Sequence, residues 1–344
     1  LKHVTRYMLI YPPPPPHVPS STMSITAFGI ANLLPRISLQ PSVVPAMVIF
    51  ASVNRLLISL THILIETDFC LTHPNQLELR CTLRIQSRKR LFSPIIVAHG
   101  FRGFKDWGFL PYLSRQLTQS GFAAISFNHS LSGIGDNPWA IEDLEGFSHN
   151  STSQELQDWN LLLDSLLWGK IPFAHRLRLN SVGVVGHSRG GSYGILLSSQ
   201  VPQIRSVVTW GAIQSFDRFD GETRRRWQSH GYLEVNQQPQ EKPLRLKVGA
   251  LDALDRNLEQ LDVLKAMRQS SIPVLILHTR QDRTVPLIEG QNLWQCADQK
   301  LSNFQVIEGG GHTFQTQHPL DTPSLPLLEA VSRTIEWFKK SLPT

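Results

Sequence analysis

Short runs of apolar residues alternate with amphipathic stretches along most of the chain. Four such runs cover residues 94–98, 123–127, 181–185 and 273–277, and polar or turn-forming residues bound each of them. Runs that are apolar throughout are typical of strands covered on both faces, as in a parallel sheet. Further strands are predicted over residues 62–65, 77–85, 204–210 and 304–307.

The stretches between these runs predict helices. Residues 107–120 form one candidate, which Gly121 ends, and residues 325–340 form a closing helix. A third begins where Thr152 and Glu155 match a capping box. Apolar side chains then recur at helical spacing, at Leu156, Trp159, Leu163, Leu166 and Leu167. This alternation predicts an α/β fold with a doubly wound, mostly parallel sheet, whose loops at the carboxyl ends of the strands carry the chemistry.

The first sixty residues follow a different pattern. Five consecutive prolines stand at residues 12–16, and no acidic residue precedes Glu66. An apolar stretch at residues 43–60 is interrupted by Asn54 and Arg55 and is shorter than the roughly 20 apolar residues of a membrane span. We therefore expect residues 1–60 to be an N-terminal extension outside the fold. Three interpretations stay open: a flexible segment, an organelle targeting peptide, or a segment upstream of the true start.

The charge and the cysteine content of the chain limit the kinds of partner that we expect. The formal net charge is +6, and four of these charges lie before residue 66, so the remainder of the chain is near +2. The basic cluster at residues 224–226 is interpreted as solvated surface, so we expect no nucleic-acid partner. Three cysteines without a CxxC pair predict neither a disulfide framework nor a metal site. We expect a cytoplasmic protein, with organelle targeting as the alternative, and no stable membrane insertion; the oligomeric state is left open.

One motif carries the chemistry. The predicted strand 181–185 continues into Gly186-His187-Ser188-Arg189-Gly190, and residues 192–199 suit a helix. A G-x-S-x-G turn between a strand and a helix exposes a serine hydroxyl at the helix N-terminus, where developing negative charge is favoured. The pattern predicts that Ser188 is a catalytic nucleophile.

A serine nucleophile needs a base, and the base needs an orienting carboxylate. Asp282 follows the predicted strand 273–277, and His312 follows the last predicted strand through three glycines. Both lie in loops at strand ends, in the chain order Ser, Asp, His that this arrangement requires. His278 and His318 are the competing candidates for the base.

Two backbone N–H groups should stabilise the oxyanion. The first is that of Arg189, directly after the nucleophile, and the second is that of Phe101, in the loop after strand 94–98. His99 is expected to brace this loop. The Arg189 side chain is expected to form a local salt bridge, with an anionic substrate as the alternative.

Together, His99-Gly100-Phe101, the Ser188 motif, Asp282 and Gly311-His312 resemble the α/β-hydrolase superfamily over residues 62–342. The branch most similar in pattern comprises serine esterases resembling dienelactone hydrolases and bacterial cinnamoyl or feruloyl esterases. Dienelactone hydrolases use a cysteine where this chain has Ser188, which argues against lactone chemistry. The resemblance implies an α/β-hydrolase domain over residues 61–344.

A long stretch separates two predicted strands of that domain. Residues 211–272 are expected to form a small helical cap over the site, and substrate contacts are expected from His187, Trp210 and Trp227. No metal and no cofactor are expected.

The predicted function is hydrolysis of a small-molecule carboxylic ester through a Ser188 acyl-enzyme. A serine peptidase or an acyltransferase could use the same triad. The alternative from a different class is a non-catalytic binding protein with a hydrolase fold.

Overall fold

The computed structural model describes residues 4–8, 63–88, 90–235 and 243–344. Its strands in this part of the chain are β1 (Val4–Met8), β2 (Leu64–Thr72), β3 (Glu78–Gln86), β4 (Pro94–Ala98), β5 (Ala123–Phe127), β6 (Val182–His187), β7 (Ile204–Trp210), β8 (Tyr232–Val235), β9 (Leu244–Lys247), β10 (Val274–Thr279) and β11 (Asn303–Ile307). Nine of them form one sheet in the order β1-β2-β3-β5-β4-β6-β7-β10-β11, and β8 and β9 form a separate two-stranded sheet.

The sheet is mostly parallel, as predicted. Strands β5, β4, β6, β7, β10 and β11 pair in parallel. The pairs β1–β2, β2–β3 and β3–β5 are antiparallel. The central strands β4 and β5 are buried along their whole length, which is why they contain almost only apolar residues. Because these strands are parallel, the carboxyl ends of β4, β6, β7, β10 and β11 all lie at the same edge of the sheet.

Helices cover both faces of the sheet. They are α1 (Leu110–Gln119), α2 (Leu144–Ser148), α3 (Thr152–Leu167), α4 (Arg189–Ser198), α5 (Gly221–His230), α6 (Gly249–Asn257), α7 (Val263–Gln269), α8 (Leu287–Cys296) and α9 (Leu325–Ser341). One core cluster contains the buried residues of α3, α4, α7 and α8, and a second contains those of α1 and α9. Within the described ranges, no helix has the length and apolarity needed to cross a membrane.

Two local predictions need correction. The N-cap of α3 is Ser151, whose hydroxyl accepts a hydrogen bond from Gln154 N at 3.3 Å, so Thr152 is already helical and Glu155 is free for another role. At the N-terminus, Val4–Met8 pairs with β2 as an edge strand, although residues 1–60 were predicted to lie outside the fold. The rest of the predicted extension, residues 1–3 and 9–60, lies outside the described residues.

The segment between β7 and β10 contains α5, the β8–β9 hairpin, α6 and α7. The hairpin was not predicted. Trp227, Leu244, Leu246 and Leu251 from this segment form a third core cluster with Phe147. Helix α7 packs on α4 and α8 of the main body. The limits of the cap, at about residues 211 and 272, and those of the hydrolase domain stay our proposal.

A buried carboxylate ties α3 to the loops that follow β2 and β5. Asp158 is fully buried. It accepts hydrogen bonds from His73 Nε2 at 2.8 Å, from His129 Nδ1 at 3.2 Å and from Gln154 Nε2 at 3.0 Å. The backbone N–H and the hydroxyl of Ser130 also donate to it, each at 2.8 Å. Burial alone would raise the pKa of Asp158, but the hydrogen bonds from His129, Gln154 and Ser130 outweigh it and lower the pKa.

We expect Asp158→Asn to lower the free energy of unfolding by about 3 kcal/mol, because an amide leaves several of these buried donors without an acceptor. Urea unfolding followed by circular dichroism measures the change. Asp164→Asn, an exposed position on the same helix, is the matched control and is expected to stay within about 0.5 kcal/mol of wild type. Equal stability of the two variants would contradict the stabilising role of the Asp158 network.

Candidate active site

Ser188 lies in the sharp turn between β6 and α4. Its backbone has φ 55° and ψ −125°, a conformation that residues with a side chain rarely adopt. The turn is held by a hydrogen bond from Ser188 N to Trp210 O at 2.8 Å and by one from Gly191 N to Ser188 O at 3.0 Å. The N–H of Arg189, in the first turn of α4, has no acceptor within its own helix and is available to a ligand.

Two glycines make this turn possible. A Cβ on Gly186 would lie 2.3 Å from the carbonyl carbon of Gly190. A Cβ on Gly190 would lie 2.5 Å from the carbonyl oxygen of His99, at the end of β4. Real Cβ atoms do not approach other atoms this closely, so both positions exclude every other residue type unless the backbone moves. The G-x-S-x-G spacing is therefore explained by backbone contact.

The loop after β4 places its peptide groups in a defined orientation. His129 N donates to His99 Nε2 at 3.3 Å, so the proton of the His99 ring is on Nδ1, which donates to Gly100 O at 2.8 Å. Gly103 N donates to the same oxygen at 3.0 Å. In a trans peptide the C=O and the following N–H point in opposite directions, so Phe101 N–H points away from these donors. His99 braces the loop, in agreement with the expectation from sequence.

The structure brings His312 and Asp282 together. His312 Nδ1 lies 2.7 Å from Asp282 Oδ2, and the Asp282 side chain is 1% exposed. The other carboxylate oxygen accepts from Thr284 N at 2.9 Å and from Val285 N at 2.8 Å. Burial alone would raise the pKa of Asp282, but the hydrogen bond and charge of His312 and the two backbone donors hold the pKa below its ordinary value. An ionised Asp282 keeps the proton of His312 on Nδ1, which leaves Nε2 able to accept a proton.

Ser188 and His312 line the same cleft. Among the hydrogen bonds of the described residues, none joins the Ser188 hydroxyl to the His312 ring. Such bonds are often long before a substrate binds.

Two further residues support the His312–Asp282 pair. Gly211, directly after β7, is so close that a Cβ there would lie 3.1 Å from Asp282 Oδ2 and 3.3 Å from His312 Nδ1. His187 Nε2 donates to His312 O at 2.9 Å. Withdrawal from solvent, together with the neighbouring His312, lowers the pKa of His187 to about 3, so its ring is neutral. This role of Gly211 was not predicted. A glycine directly after an apolar strand could have indicated a close approach to the backbone at this point.

The competing histidines are engaged elsewhere. His278 is fully buried, and its Nε2 donates to Val285 O at 2.8 Å. His318 Nδ1 accepts from Gly108 N at 3.0 Å, and its Nε2 donates to Trp139 O at 3.0 Å. Neither ring presents a free nitrogen beside Ser188 with a carboxylate behind it.

The Arg189 side chain forms the local salt bridge that was expected. Its Nη1 lies 3.2 Å from Glu155 Oε1 and 3.3 Å from Glu155 Oε2. Glu155 was predicted to take part in a helix cap, and this salt bridge was not predicted. A signal was present, because Glu155 precedes Trp159 by four residues and thus lies on the buried face of α3.

The cleft has a volume of about 1220 Å³. Its lining includes Gly100, Phe101, His187, Ser188, Arg189 and His312 from the main body, and Ile213, Phe216, Phe219 and Val235 from the segment after β7. Two predicted substrate contacts need correction. Trp210 is 1% exposed and donates from Nε1 to Thr334 Oγ1, and Trp227 is 2% exposed and donates to Leu246 O. Neither lines the cleft, because each indole packs in a core cluster.

No group of three or more His, Cys, Asp or Glu side chains in residues 4–8, 63–88, 90–235 and 243–344 could hold a metal ion.

Comparison with solved structures supports the fold. Est1E from Butyrivibrio proteoclasticus, solved with ferulic acid bound, is 17% identical and superposes with a TM-score of 0.60 over 79% of this chain and 98% of its own. The esterase domain of a Rhodothermus marinus protein is 16% identical and superposes with a TM-score of 0.54 over 81% of this chain and 99% of its own. At these identities the likeness shows the fold alone.

Comparison of sequences shows the family. A 2,6-dihydropseudooxynicotine hydrolase from Paenarthrobacter nicotinovorans is 29% identical over 136 residues, which is 40% of this chain and 34% of that protein. The match thus spans about a third of the length of this curated relative. The family model described as the alpha/beta hydrolase family matches residues 95–322, a region that includes Ser188, Asp282 and His312. This match confirms the resemblance to α/β-hydrolases that the motifs indicate. The chain belongs to the alpha/beta hydrolase family.

Proposed function

We propose that the protein is a serine hydrolase that cleaves a small-molecule carboxylic ester, with Ser188, His312 and Asp282 as its catalytic triad. The observation that carries the proposal is the shared cleft. It is lined by a serine held at φ 55° at a helix N-terminus and by a histidine whose other ring nitrogen lies 2.7 Å from a buried carboxylate. Both features fit nucleophilic catalysis by a hydroxyl group.

In the first half of the reaction, the Ser188 Oγ attacks the ester carbonyl carbon while its proton passes to His312 Nε2. The electron pair of the C=O bond moves to the oxygen, where the N–H groups of Phe101 and Arg189 stabilise it. Collapse of this intermediate breaks the bond to the alcohol oxygen, which takes the proton from His312. Asp282 stays ionised and balances the positive charge on the imidazole ring.

In the second half, His312 Nε2 takes a proton from water, and the resulting hydroxide oxygen attacks the acyl-enzyme. The same two N–H groups stabilise the second oxyanion. Its collapse breaks the bond to Ser188 Oγ, which receives the proton from His312, and the carboxylic acid leaves. No step requires a cofactor.

We also propose that the segment between β7 and β10 acts as a cap that contacts the substrate. Five residues from its first half line the cleft. Arg218 is charged and pairs with Glu289. The other four, Ile213, Phe216, Phe219 and Val235, are apolar, which suits an apolar acyl or alcohol group. Among the residues predicted to contact substrate, His187 is the one that lines the cleft.

We expect Ser188→Ala to abolish hydrolysis of p-nitrophenyl esters and labelling by a fluorophosphonate probe. In a triad enzyme the loss of the nucleophile lowers turnover by about 10⁶. Ser192→Ala is the matched control, because this buried hydroxyl four residues along α4 donates to Ile213 O at 2.6 Å and does not line the cleft. We expect Ser192→Ala to be labelled.

The probe experiment also separates the alternatives. Wild-type protein that is not labelled at Ser188 would overturn the enzymatic proposal in favour of a binding protein. Labelled protein that cleaves a peptide much faster than any ester would indicate a peptidase. Labelled protein that transfers the acyl group to an added alcohol in preference to water would indicate an acyltransferase.

We expect Asp282→Asn to lower kcat by about 10⁴, because the amide no longer fixes the His312 proton on Nδ1. Asp298→Asn, at an exposed position, serves as the control and should retain wild-type kcat. The thermal unfolding midpoint of each variant shows whether the fold is kept. A folded Asp282→Asn variant with wild-type kcat would contradict the proposed role.

Acid is expected to destabilise the fold through His99 and His187, whose burial lowers the pKa of each to about 3. Between pH 6.5 and pH 3 the unfolded chain binds protons that the folded chain does not, so stability falls as pH falls through this window. From pH 7.5 to pH 5.0 we expect a loss of up to about 2 kcal/mol for the buried His99 in urea unfolding. The loss for His187 is expected to be smaller, because this ring lines the cleft and is partly exposed to solvent.

The contribution of His187 is isolated by substitution. His187→Gln, which keeps a donor for His312 O, should reduce the dependence on pH, whereas His175→Gln, at an exposed position, should leave it unchanged. An unaltered dependence on pH in His187→Gln would show that this ring is not held neutral.

A further inference from the structure

The side chains of the two residues that we propose as oxyanion donors contact each other. The Arg189 guanidinium carbon lies 4.3 Å from the centroid of the Phe101 ring. This is a cation–π distance. Phe101 lies in the loop after β4, and Arg189 begins α4 directly after the turn that follows β6. The contact therefore joins the two segments whose backbone N–H groups must converge on one oxygen atom.

The Arg189 side chain is anchored from behind by a buried acid. The Glu155 side chain is 4% exposed, binds Arg189 through both carboxylate oxygens and accepts from the Tyr193 hydroxyl at 2.8 Å. Burial alone would raise the pKa of Glu155, but Arg189, His129 and Tyr193 outweigh it and lower the pKa. The carboxylate is therefore charged and holds the guanidinium group in one place.

The other side of Phe101 is also occupied. Its ring centroid lies 5.9 Å from that of Phe147. Phe147 belongs to the third core cluster, which contains Trp227 and Leu246 from the proposed cap. The Phe101 ring thus contacts Arg189 on the main body and also packs against a cluster that includes the cap.

The backbone around Phe101 needs such support. Its neighbours include Gly100 and Gly103, and Arg102 adopts φ 60°. Glycines permit many backbone conformations. The two hydrogen bonds to Gly100 O restrain the start of this loop, and the bond from Lys105 N to Asn128 Oδ1 at 2.6 Å restrains it further along. The Phe101 side chain is an apolar anchor between these two points.

We propose that Glu155, Arg189 and Phe101 form a side-chain clamp that sets the separation of the two oxyanion donors. The three are positioning residues: Arg189 and Phe101 supply backbone N–H groups to the reaction, and the clamp acts through their side chains. The inference rests on the proposed function, because it assumes that an oxyanion forms between Phe101 N–H and Arg189 N–H. It also gives the charge of Arg189 a role that requires no anionic substrate.

The test compares four proteins on p-nitrophenyl acetate, whose small acyl group limits contact with the Phe101 ring. They are wild type, Phe101→Leu, the double variant Glu155→Gln/Arg189→Met, and the combination of all three substitutions. Phe101→Leu keeps the backbone N–H and the Glu155–Arg189 pair but removes the ring. The double variant removes both charges together, so that no unpaired carboxylate is left buried. Thermal unfolding establishes that each protein is folded.

We expect Phe101→Leu to lower kcat about tenfold, less than the 10²–10³ that follows the loss of a donor, because the N–H is displaced and not removed. KM is expected to change by less than about threefold, since the clamp acts on the transition state. Phe101→Tyr restores the ring and should restore most of kcat. The combined variant should lose no more than the worse of its two parents, because both disrupt one contact.

Arg224→Met is the matched control for loss of an arginine, since Arg224 pairs with Asp217 and Asp255 at 2.8 Å each and does not line the cleft. It should keep wild-type kcat.

Three results overturn the clamp. They are wild-type kcat in folded Phe101→Leu, a loss confined to KM, and fully multiplicative losses in the combined variant, which would mean that Phe101 and Arg189 act independently. Failure of the proposed function is distinct, because wild-type protein would then show neither turnover nor fluorophosphonate labelling.

Discussion

The turn after β6 and the end of β4 meet through backbone atoms at Gly190. Gly190 lies so close to His99 O that a Cβ would be 2.5 Å from it. Most packing contacts involve side chains that can change rotamer, but a contact between two backbones can change only if a strand or a helix moves. The separation between the Ser188 turn and the end of β4 is therefore set by the sheet itself, whereas the position of Phe101 further along the loop is not fixed by this contact. The positive φ of Ser188, which costs about 1–3 kcal/mol, is sustained by the same packing.

Buried charge is arranged around this turn. Asp158, Glu155 and Asp282 are almost fully withdrawn from solvent, yet the pKa of each is lowered because hydrogen bonds and neighbouring charges outweigh the effect of burial. Each carboxylate restrains a different part of the site. Asp158 holds the His129 loop that supports His99, Glu155 holds Arg189, and Asp282 holds His312. Charges compensated in this way act as fixed dipoles that need no reorganisation during a reaction.

Much of this arrangement was predictable from sequence where the determinants are local. The motif around Ser188 combines an apolar strand with glycines that only a tight turn requires, and both signals lie within ten residues. Asp282 and His312 follow apolar runs at strand ends, so their loops could be assigned to the same edge of the sheet. The mostly parallel sheet followed from the same runs, and the structure confirms it.

The features that were missed depend on distant contacts. Glu155 is separated from Arg189 by more than thirty residues, so its role appears only once α3 packs beside α4. Trp210 and Trp227 were expected in the site because large aromatic residues often bind ligands, but here each fills a core cluster. The β8–β9 hairpin is a short antiparallel pair whose register depends on its partner. The edge strand Val4–Met8 is separated from β2 by residues whose pattern predicts no sheet at all.

The proposed chemistry and the proposed substrate contacts reside in separate parts of the chain. The proposed nucleophile, base and oxyanion donors all lie at the carboxyl ends of strands of the main sheet. The apolar wall formed by Ile213, Phe216, Phe219 and Val235 comes from the segment after β7. Residues in that wall can change without moving Ser188, because the turn depends on the sheet. Phe101 links the two parts. Its N–H belongs to the proposed oxyanion site, and its ring packs against a core cluster that contains residues of the proposed cap. A substitution in the proposed cap at a residue that packs with Phe147, such as Leu246, can therefore displace the Phe101 ring. We expect such a substitution to alter kcat more than one of equal size elsewhere in the proposed cap.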